Sequence, residues 1–366
     1  MKTTLESLMQ ELEAKEEQIQ LLKRECDERL RLLNQAELRL EEMTGQRGGR
    51  VALRSWILAV YRTLLRRQGN RGLWIIFRPK LGILRHHKPR QVKLPLHYYR
   101  SEPPESHPVI SIVTPSLNQA QFLARTMESV LNQEYPRLEY VIRDGASTDG
   151  TKELLEGVCH PSLTWESDPD NGQADAINVG FKKTTGEIMA YLNSEDLLLP
   201  GCLDYVARFF EEHQEVDVIY GHRVLIDDQD REIGRWVLPR HDNEVLQWVD
   251  YLPQETLFWR RRIWEKIGGS LDVNFRYAMD WDLILRFIEA KAKFVRVPRF
   301  LGAFRVHRDQ KTTAARSAWG EPEVARIRER CQGRSVTPEE ALWKVRVYFL
   351  RHVFLDLLYR AKIVRF

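Results

Sequence analysis

Val109-Ile110-Ser111-Ile112-Val113, closed by Thr114-Pro115, is the stretch on which the fold turns. It is a short apolar run rich in β-branched residues and stopped by a proline, which reads as a buried strand. Ala120 to Asn132 follows with helical spacing, and Leu138 to Ile142 gives a second strand ending at Arg143-Asp144-Gly145. Thr151 to Glu156 reads as helix, Leu163 to Glu166 as a third strand, Ala174 to Phe181 as helix and Glu187 to Leu192 as a fourth strand. Such alternation predicts an α/β domain with a mostly parallel sheet and helices on its faces. Ligands of such sheets sit beyond the carboxyl ends of the strands, where this chain places its polar clusters.

Outward from this domain the composition changes. In residues 1–45, Leu5, Leu8, Leu12, Ile19, Leu22, Cys26, Leu33, Ala36, Leu40 and Met43 recur on alternating steps of three and four. That spacing predicts a coiled coil, weakened where Lys15 and Arg29 enter the seam, and hence a homo-oligomer or a helical partner. Gly45, Gly48 and Gly49 end it. Residues 46–108 form a basic linker with no acid up to Arg100, and Trp56, Ile57, Val60, Tyr61, Leu64 and Leu65 lie among arginines. Residues 313–366 end in a second basic helix, with Trp343, Val347, Leu350, Phe354, Leu357, Leu358 and Ala361 at helical spacing. Basic amphipathic segments with aromatic residues suit an anionic membrane surface. Packing against the domain is the plainer alternative. No nucleic-acid motif accompanies the charge.

The whole chain has 366 residues, 43% hydrophobic and 30% charged, with a net charge of +4, which suits a globular protein with a real core. Cys26, Cys159, Cys202 and Cys331 are widely spaced and form no metal or disulfide pattern, which suits reduced thiols. A charged N-terminus and the lack of an apolar run of ~18 residues argue against a signal peptide and a membrane-spanning helix. The expected place is the cytoplasmic face of the cell membrane, held peripherally.

Four clusters carry chemistry. Asp144, in Asp144-Gly145-Ala146-Ser147-Thr148-Asp149-Gly150-Thr151, stands at a strand end where small residues let a ligand approach. Asp149 reads as a helix cap. Asn193-Ser194-Glu195-Asp196 puts two acids after an apolar strand, suited to a cation or to helix capping. Asp280-Trp281-Asp282 opens an apolar helix, either as a cap or as a general base. Phe304-Arg305-Val306-His307 adds a lone histidine, a residue more often structural than a ligand.

In this order the clusters resemble the family-2 glycosyltransferases of the GT-A fold, from Val109 to about Thr312. The resemblance is carried by Ser111-Ile112-Val113-Thr114-Pro115-Ser116-Leu117-Asn118, the Asp144–Thr151 motif and Asp170-Asn171-Gly172-Gln173-Ala174-Asp175-Ala176-Ile177-Asn178. Tyr191-Leu192-Asn193-Ser194-Glu195-Asp196, Asp280-Trp281-Asp282-Leu283 and Phe304–His307 complete it. It implies that Thr114, Pro115, Asp144, Gln173, Asp175 and Asn193 bind a nucleotide sugar. Glu195, with Asp196 and His307, would hold Mg²⁺ or Mn²⁺. Asp280 would be the catalytic base, and Gln254, Glu255 and Trp281 would meet the acceptor.

The implied reaction is inverting transfer of a sugar from a nucleotide diphosphate to a hydroxyl of a glycan or lipid-linked acceptor, as in cell-surface polysaccharide synthesis. Three positions depart from the family pattern. Arg143 replaces a frequent acid, Asn193-Ser194-Glu195 stands for Asp-x-Asp, and Met279-Asp280 stands for Glu-Asp. Those changes motivate one rival, an inactive domain serving as a coiled-coil scaffold at the membrane. A nucleotidyltransferase on the same sheet is the other rival, and the lack of a Gly-rich phosphate loop after the first strand argues against it.

Overall fold

The apolar run that opens the domain becomes β1 (Ile110–Ser116), buried along its whole length. In the computed structural model, which describes residues 86–100, 103–307 and 320–366, β1 lies inside a mixed sheet. Helix α1 (Ala120–Leu131) leads to β2 (Leu138–Asp144), and α2 (Thr151–Glu156) leads to β3 (Leu163–Ser167). Then come α3 (Gln173–Phe181) and β4 (Ile188–Tyr191). β1 pairs in parallel with β2 and β4, and β2 with β3, as expected of strand–helix alternation. Helix α3 lies close on β1: a Cβ at Gly180 would sit 2.5 Å from Val113 Cγ1, so only glycine allows this approach.

The second half is less regular. It runs through β5 (Leu197–Leu198), α4 (Cys202–Glu212), β6 (Val218–Ile226), β7 (Glu232–Trp236), α5 (Asn243–Leu246), β8 (Phe258–Arg260), α6 (Arg261–Lys266), α7 (Met279–Glu289) and β9 (Phe294–Arg305). The described strands form the order β3-β2-β1-β4-β8-β6-β9-β5, and β7 pairs antiparallel with Arg223–Ile226 of β6, beyond β8. β8 joins the halves, pairing antiparallel with both β4 and β6. β6 and β9 are parallel.

Two apolar layers cover the sheet. One gathers Val113, Tyr191, Trp259, Trp281 and Phe287, the other Ile112, Leu123, Tyr140, Ile142 and Phe210. The period-two alternation along β1 explains the split, since Val113 and Ile112 face opposite sides.

The segments around the domain are bound to it. Arg90 pairs with Glu232 of β7, and Tyr98 is fully buried, its hydroxyl accepting the Phe300 amide at 3.0 Å. Residues 86–100, expected within the linker, therefore lie on the sheet. At the other end come α8 (Glu321–Gln332) and α9 (Pro338–Arg360). Ile327, Val345 and Tyr348 enter the first core layer. The coiled coil of 1–45 and the basic stretch from Trp56 to Lys80 lie outside the described residues. Among the described residues no helix is long and apolar enough to cross a membrane.

Candidate active site

The loops after β1 and β2 are stitched together by side chains. Asn118, at φ 52°, accepts the Thr148 amide on Oδ1 at 2.9 Å and donates its own amide to Ser147 Oγ at 2.7 Å. Asp149 accepts the amides of Ala120 at 2.9 Å and Thr151 at 3.1 Å, satisfying donors at the starts of α1 and α2. Burial opposes the charge on Asp149, but these bonds and the Thr151 hydroxyl hold its carboxyl below the usual range. Asp149 is therefore a cap, as its place in the turn suggests.

Asp144 ends β2 fully buried. Its Oδ2 accepts the Ser147 amide at 3.0 Å and the Ser167 hydroxyl at 2.6 Å, and its Oδ1 accepts the Ser147 hydroxyl. A carboxylate has about four acceptor positions, so these bonds orient the group and leave capacity for one further donor. Thr114 and Pro115 are placed differently from expectation. The Thr114 hydroxyl hydrogen-bonds with Tyr140 OH at 3.0 Å inside the core, and Pro115 is buried in register with Arg143. The side chain of Thr114 is thus spent on packing, not on a nucleotide. Arg143, standing where an acid is frequent, pairs with Glu166 on β3.

At the end of β4 the predicted residues converge. Gln173 Nε2 donates to Asn193 Oδ1 at 2.7 Å, and Asn193 Nδ2 donates to Gln254 Oε1 at 3.2 Å. Gln254 Nε2 then donates to the Tyr191 carbonyl at 2.7 Å. This run joins the α3 turn, the end of β4 and the 3-10 turn Gln254–Thr256, three segments far apart in sequence. Gly302 permits the turn to press on β9, because a Cβ there would lie 2.7 Å from the Glu255 carbonyl oxygen. Asp175 is committed locally: its Oδ2 accepts Asn171 N at 3.1 Å and Asn171 Nδ2 at 3.0 Å, bracing the turn before α3.

Glu195 and His307 meet from opposite ends of the domain sequence, Oε2 to Nε2 at 3.0 Å, with Phe122 against the imidazole. Both side chains keep some exposure, 18% and 9%, so a ligand can reach them. A carboxylate and an imidazole at one point fit a divalent cation that takes its remaining ligands from water and a diphosphate. Asp196 does not fit that role. Its carboxyl is 1% exposed and accepts the Arg305 amide at 3.0 Å. Burial, then the neighbouring Glu255 and Glu195 carboxylates, push it well above the usual carboxylate range, toward the neutral form. Among the described residues no three His, Cys, Asp or Glu side chains form a ready-made metal cage.

Asp280 lies in the first turn of α7, half-buried, its Oδ1 accepting the Trp281 amide at 2.9 Å. The start of this helix is held from α8. Glu323 accepts the Arg276, Tyr277 and Ala278 amides, each at 2.8 Å, supplying a carboxylate to the positive end of the helix. Asp250, partly accessible, is a second acid near Asp280. Desolvation and then the Asp280 charge push it well above the usual range.

Two acceptor expectations are corrected. Trp281 is 2% exposed, with its indole N–H donating to the Leu246 carbonyl at 2.8 Å, and is a core residue. Glu255 is buried, with both carboxylate oxygens held by Arg223. Gln254 belongs to the polar run. The sequence reading missed Asp250, Glu323 and Tyr191. Asp250 and Glu323 carry no motif, and Tyr191 stands at the head of the Tyr191–Asp196 motif without a role of its own. Asp282, about 200° around α7 from Asp280, is bound by Arg286 and Arg330 beside a groove of about 460 Å³. None of the expected site residues lines that groove.

Comparison with known proteins agrees with this layout. The model of glycosyl transferase family 2 matches residues 111–283. An uncharacterised glycosyltransferase of Mycobacterium tuberculosis is 31% identical over 188 residues, which are 50% of this chain and 69% of that relative. A PGL/p-HBAD biosynthesis glycosyltransferase of Mycobacterium bovis is 30% identical, over 49% of this chain and 69% of its own length. Among solved structures, residues 1–349 of Staphylococcus aureus TarS, in complex with UDP-GlcNAc, share the fold at a TM-score of 0.51 and 17% identity, covering 63% of this chain and 68% of that one.

Proposed function

This chain belongs to glycosyl transferase family 2, and on that premise we propose that it transfers a sugar, with inversion, from a nucleotide diphosphate to an acceptor hydroxyl. The observation that carries this reading is the Gln173–Asn193–Gln254 run. It brings the turn before α3, the end of β4 and the Gln254 turn together at the carboxyl ends of the strands, next to the acids that follow β4.

Asp280 accepts the proton of the acceptor hydroxyl as that oxygen attacks the anomeric carbon. The bond from that carbon to the diphosphate oxygen breaks with its electron pair, and the diphosphate leaves. A Mg²⁺ or Mn²⁺ ion held through Glu195 and His307 would offset the charge of the leaving diphosphate. Asp144 and Asn193 orient the nucleoside. The test is Asp280→Asn, which should lower transfer by about 10²–10⁴-fold with donor binding retained. Full transfer by that variant would refute the base assignment.

The acceptor is a glycan or lipid-linked hydroxyl at a membrane, and α9 supplies the observation favouring a membrane. Its inner face (Ala341, Val345, Tyr348, Phe349) packs on the domain, while Trp343, Val347, Leu350 and Phe354 on its outer face are 37–52% exposed. Lys344 and Arg351 stand exposed among them. Exposed apolar residues in line with basic ones suit an anionic bilayer surface. The full chain should co-sediment with phosphatidylserine vesicles, and Leu350→Glu with Phe354→Glu should reduce this at least about tenfold. Equal sedimentation of both proteins would remove the face from the account.

A further inference from the structure

Arg305 ends β9 two residues before His307, and its side chain is wholly buried. Taking a guanidinium out of water is costly, and an apolar side chain in such a place is often as stable or more so. Asp230 balances its charge at 2.5 Å, but that carboxylate is 33% exposed. A partner that faces water offsets only part of the cost.

The bonds of Arg305 reach what an apolar residue could not. Its backbone N–H donates to Asp196 Oδ1 at 3.0 Å, and its Nε donates to the Glu195 carbonyl at 2.8 Å. The end of β9 is thereby fastened to the turn after β4 at two adjacent residues. The guanidinium carbon also lies 4.7 Å from the centre of the Phe122 ring, and that ring meets the His307 imidazole at 4.9 Å. Arg305 therefore bears on both members of the Glu195–His307 pair, on one through its main chain and on the other through a ring.

A further arm anchors the arginine itself. Nη1 donates to the Asp227 carbonyl at 2.9 Å, and Asp230 belongs to the same hairpin between β6 and β7. Arg125 of α1 also holds that hairpin, donating to the Asp228 carbonyl and to Asp230 Oδ2, each at 3.0 Å. A guanidinium makes such bonds at once because its N–H groups point in fixed, divergent directions, whereas an ammonium is a single point.

We propose that Arg305 is a positioning residue for the divalent cation, holding the Glu195 main chain and the Phe122–His307 contact so that carboxylate and imidazole meet one ion. The assignment rests on the reading of Glu195 and His307 as the metal pair. Groups that orient metal ligands in this way are typically worth about 10–100-fold in metal affinity.

The test is a Mn²⁺ titration followed by electron paramagnetic resonance, on the full chain with UDP, GDP or dTDP, whichever binds wild type most tightly. Calorimetric titration of the same diphosphate without metal accompanies it. Glu195→Gln marks the Mn²⁺ binding that belongs to this site. Arg305→Lys, which keeps the charge but not the fork, should weaken that binding about tenfold or more, with metal-free diphosphate binding as in wild type. Phe122→Leu should weaken it in the same sense by a smaller factor, and it decides alone if Arg305→Lys does not fold. Wild-type Mn²⁺ affinity in the folded variants would overturn the assignment. So would an equal loss of Mn²⁺ binding and of metal-free diphosphate binding, the mark of a merely structural role. A wild type that takes up no Mn²⁺ beyond that held by the free diphosphate, or a Glu195→Gln variant that binds Mn²⁺ as wild type does, would overturn the metal reading itself, and this assignment with it.

Discussion

Apart from the Arg143–Glu166 pair between β2 and β3, the two halves of the sheet are held by different kinds of bond. In the parallel half, β1 to β4, the loops are joined by small uncharged or capping groups: Asn118 with Ser147 and Thr148, Asp149 with two helix starts, Asp144 with Ser147 and Ser167. In the mixed half, buried arginines do the joining. Arg223 holds Glu255, Arg305 donates to the Glu195 and Asp227 carbonyls, and Arg260 reaches from β8 to Glu187 and the Phe210 carbonyl. Arg299 lies 4.0 Å from the Tyr98 ring centroid. The lesson is that the proposed donor end is a rigid template of short side chains. The proposed acceptor end rests on long charged ones whose partners must all be present.

This contrast can be tested by removing one member from each half. Arg223→Met should destabilise most, by about 3–5 kcal/mol, because Glu255 would stay buried and unpaired close to Asp196. Denaturant unfolding would measure it, and a loss below about 1 kcal/mol would mean that the pair is solvated and the mixed half is not held as described. Asp144→Ala should cost less, about 1–3 kcal/mol, since the donors it leaves unpaired are an amide and two hydroxyls. It should also weaken nucleotide binding, whereas Arg223→Met should not act through the nucleotide. A reversed order of the two stability losses would break the comparison.

The smallest effect concerns His352 on α9, which accepts the Trp236 indole N–H at 3.1 Å. Burial lowers its pKa to about 4 from the ordinary 6.5. The unfolded chain therefore takes up this proton first as pH falls. The contribution is whole above about pH 6.5 and is lost toward pH 4, at about 1.4 kcal/mol per unit at most. His352→Asn, which can still accept the indole N–H, should flatten the dependence of Tm on pH across that window. An unchanged slope would place the acid sensitivity elsewhere.

The same difference explains what could be read in the sequence. Each of the first strands and helices was visible because its apolar period, turn glycines and caps lie within a few residues of one another. Asp149 as a cap and Asp144 as a strand-end carboxylate followed from that local grammar. The mixed half has no such grammar. Arg223 and Glu255 are ordinary charged residues in the sequence, and nothing near either marks the other as its partner. Trp281, which the family resemblance assigns to the acceptor, is instead placed by Leu246, 35 positions away, whose carbonyl takes its indole N–H. Thr114 shows the limit inside the readable half. A strand-end threonine can face a ligand or the core, and only the Tyr140 hydroxyl on the next strand decides which. The family resemblance named Glu195 and His307, and the fold is what brings them to 3.0 Å.

The central claim is that the cluster at Glu195 and His307 and the cluster at Asp144 and Asn193 bind one nucleotide sugar together. The direct measurement is the Tm of wild type and of Glu195→Gln across a panel of nucleotide sugars, with and without Mn²⁺. At least one nucleotide sugar should raise the wild-type Tm, more with Mn²⁺ than without, and Glu195→Gln should lose the Mn²⁺-dependent part. A panel in which no nucleotide sugar stabilises the wild type under either condition would contradict it.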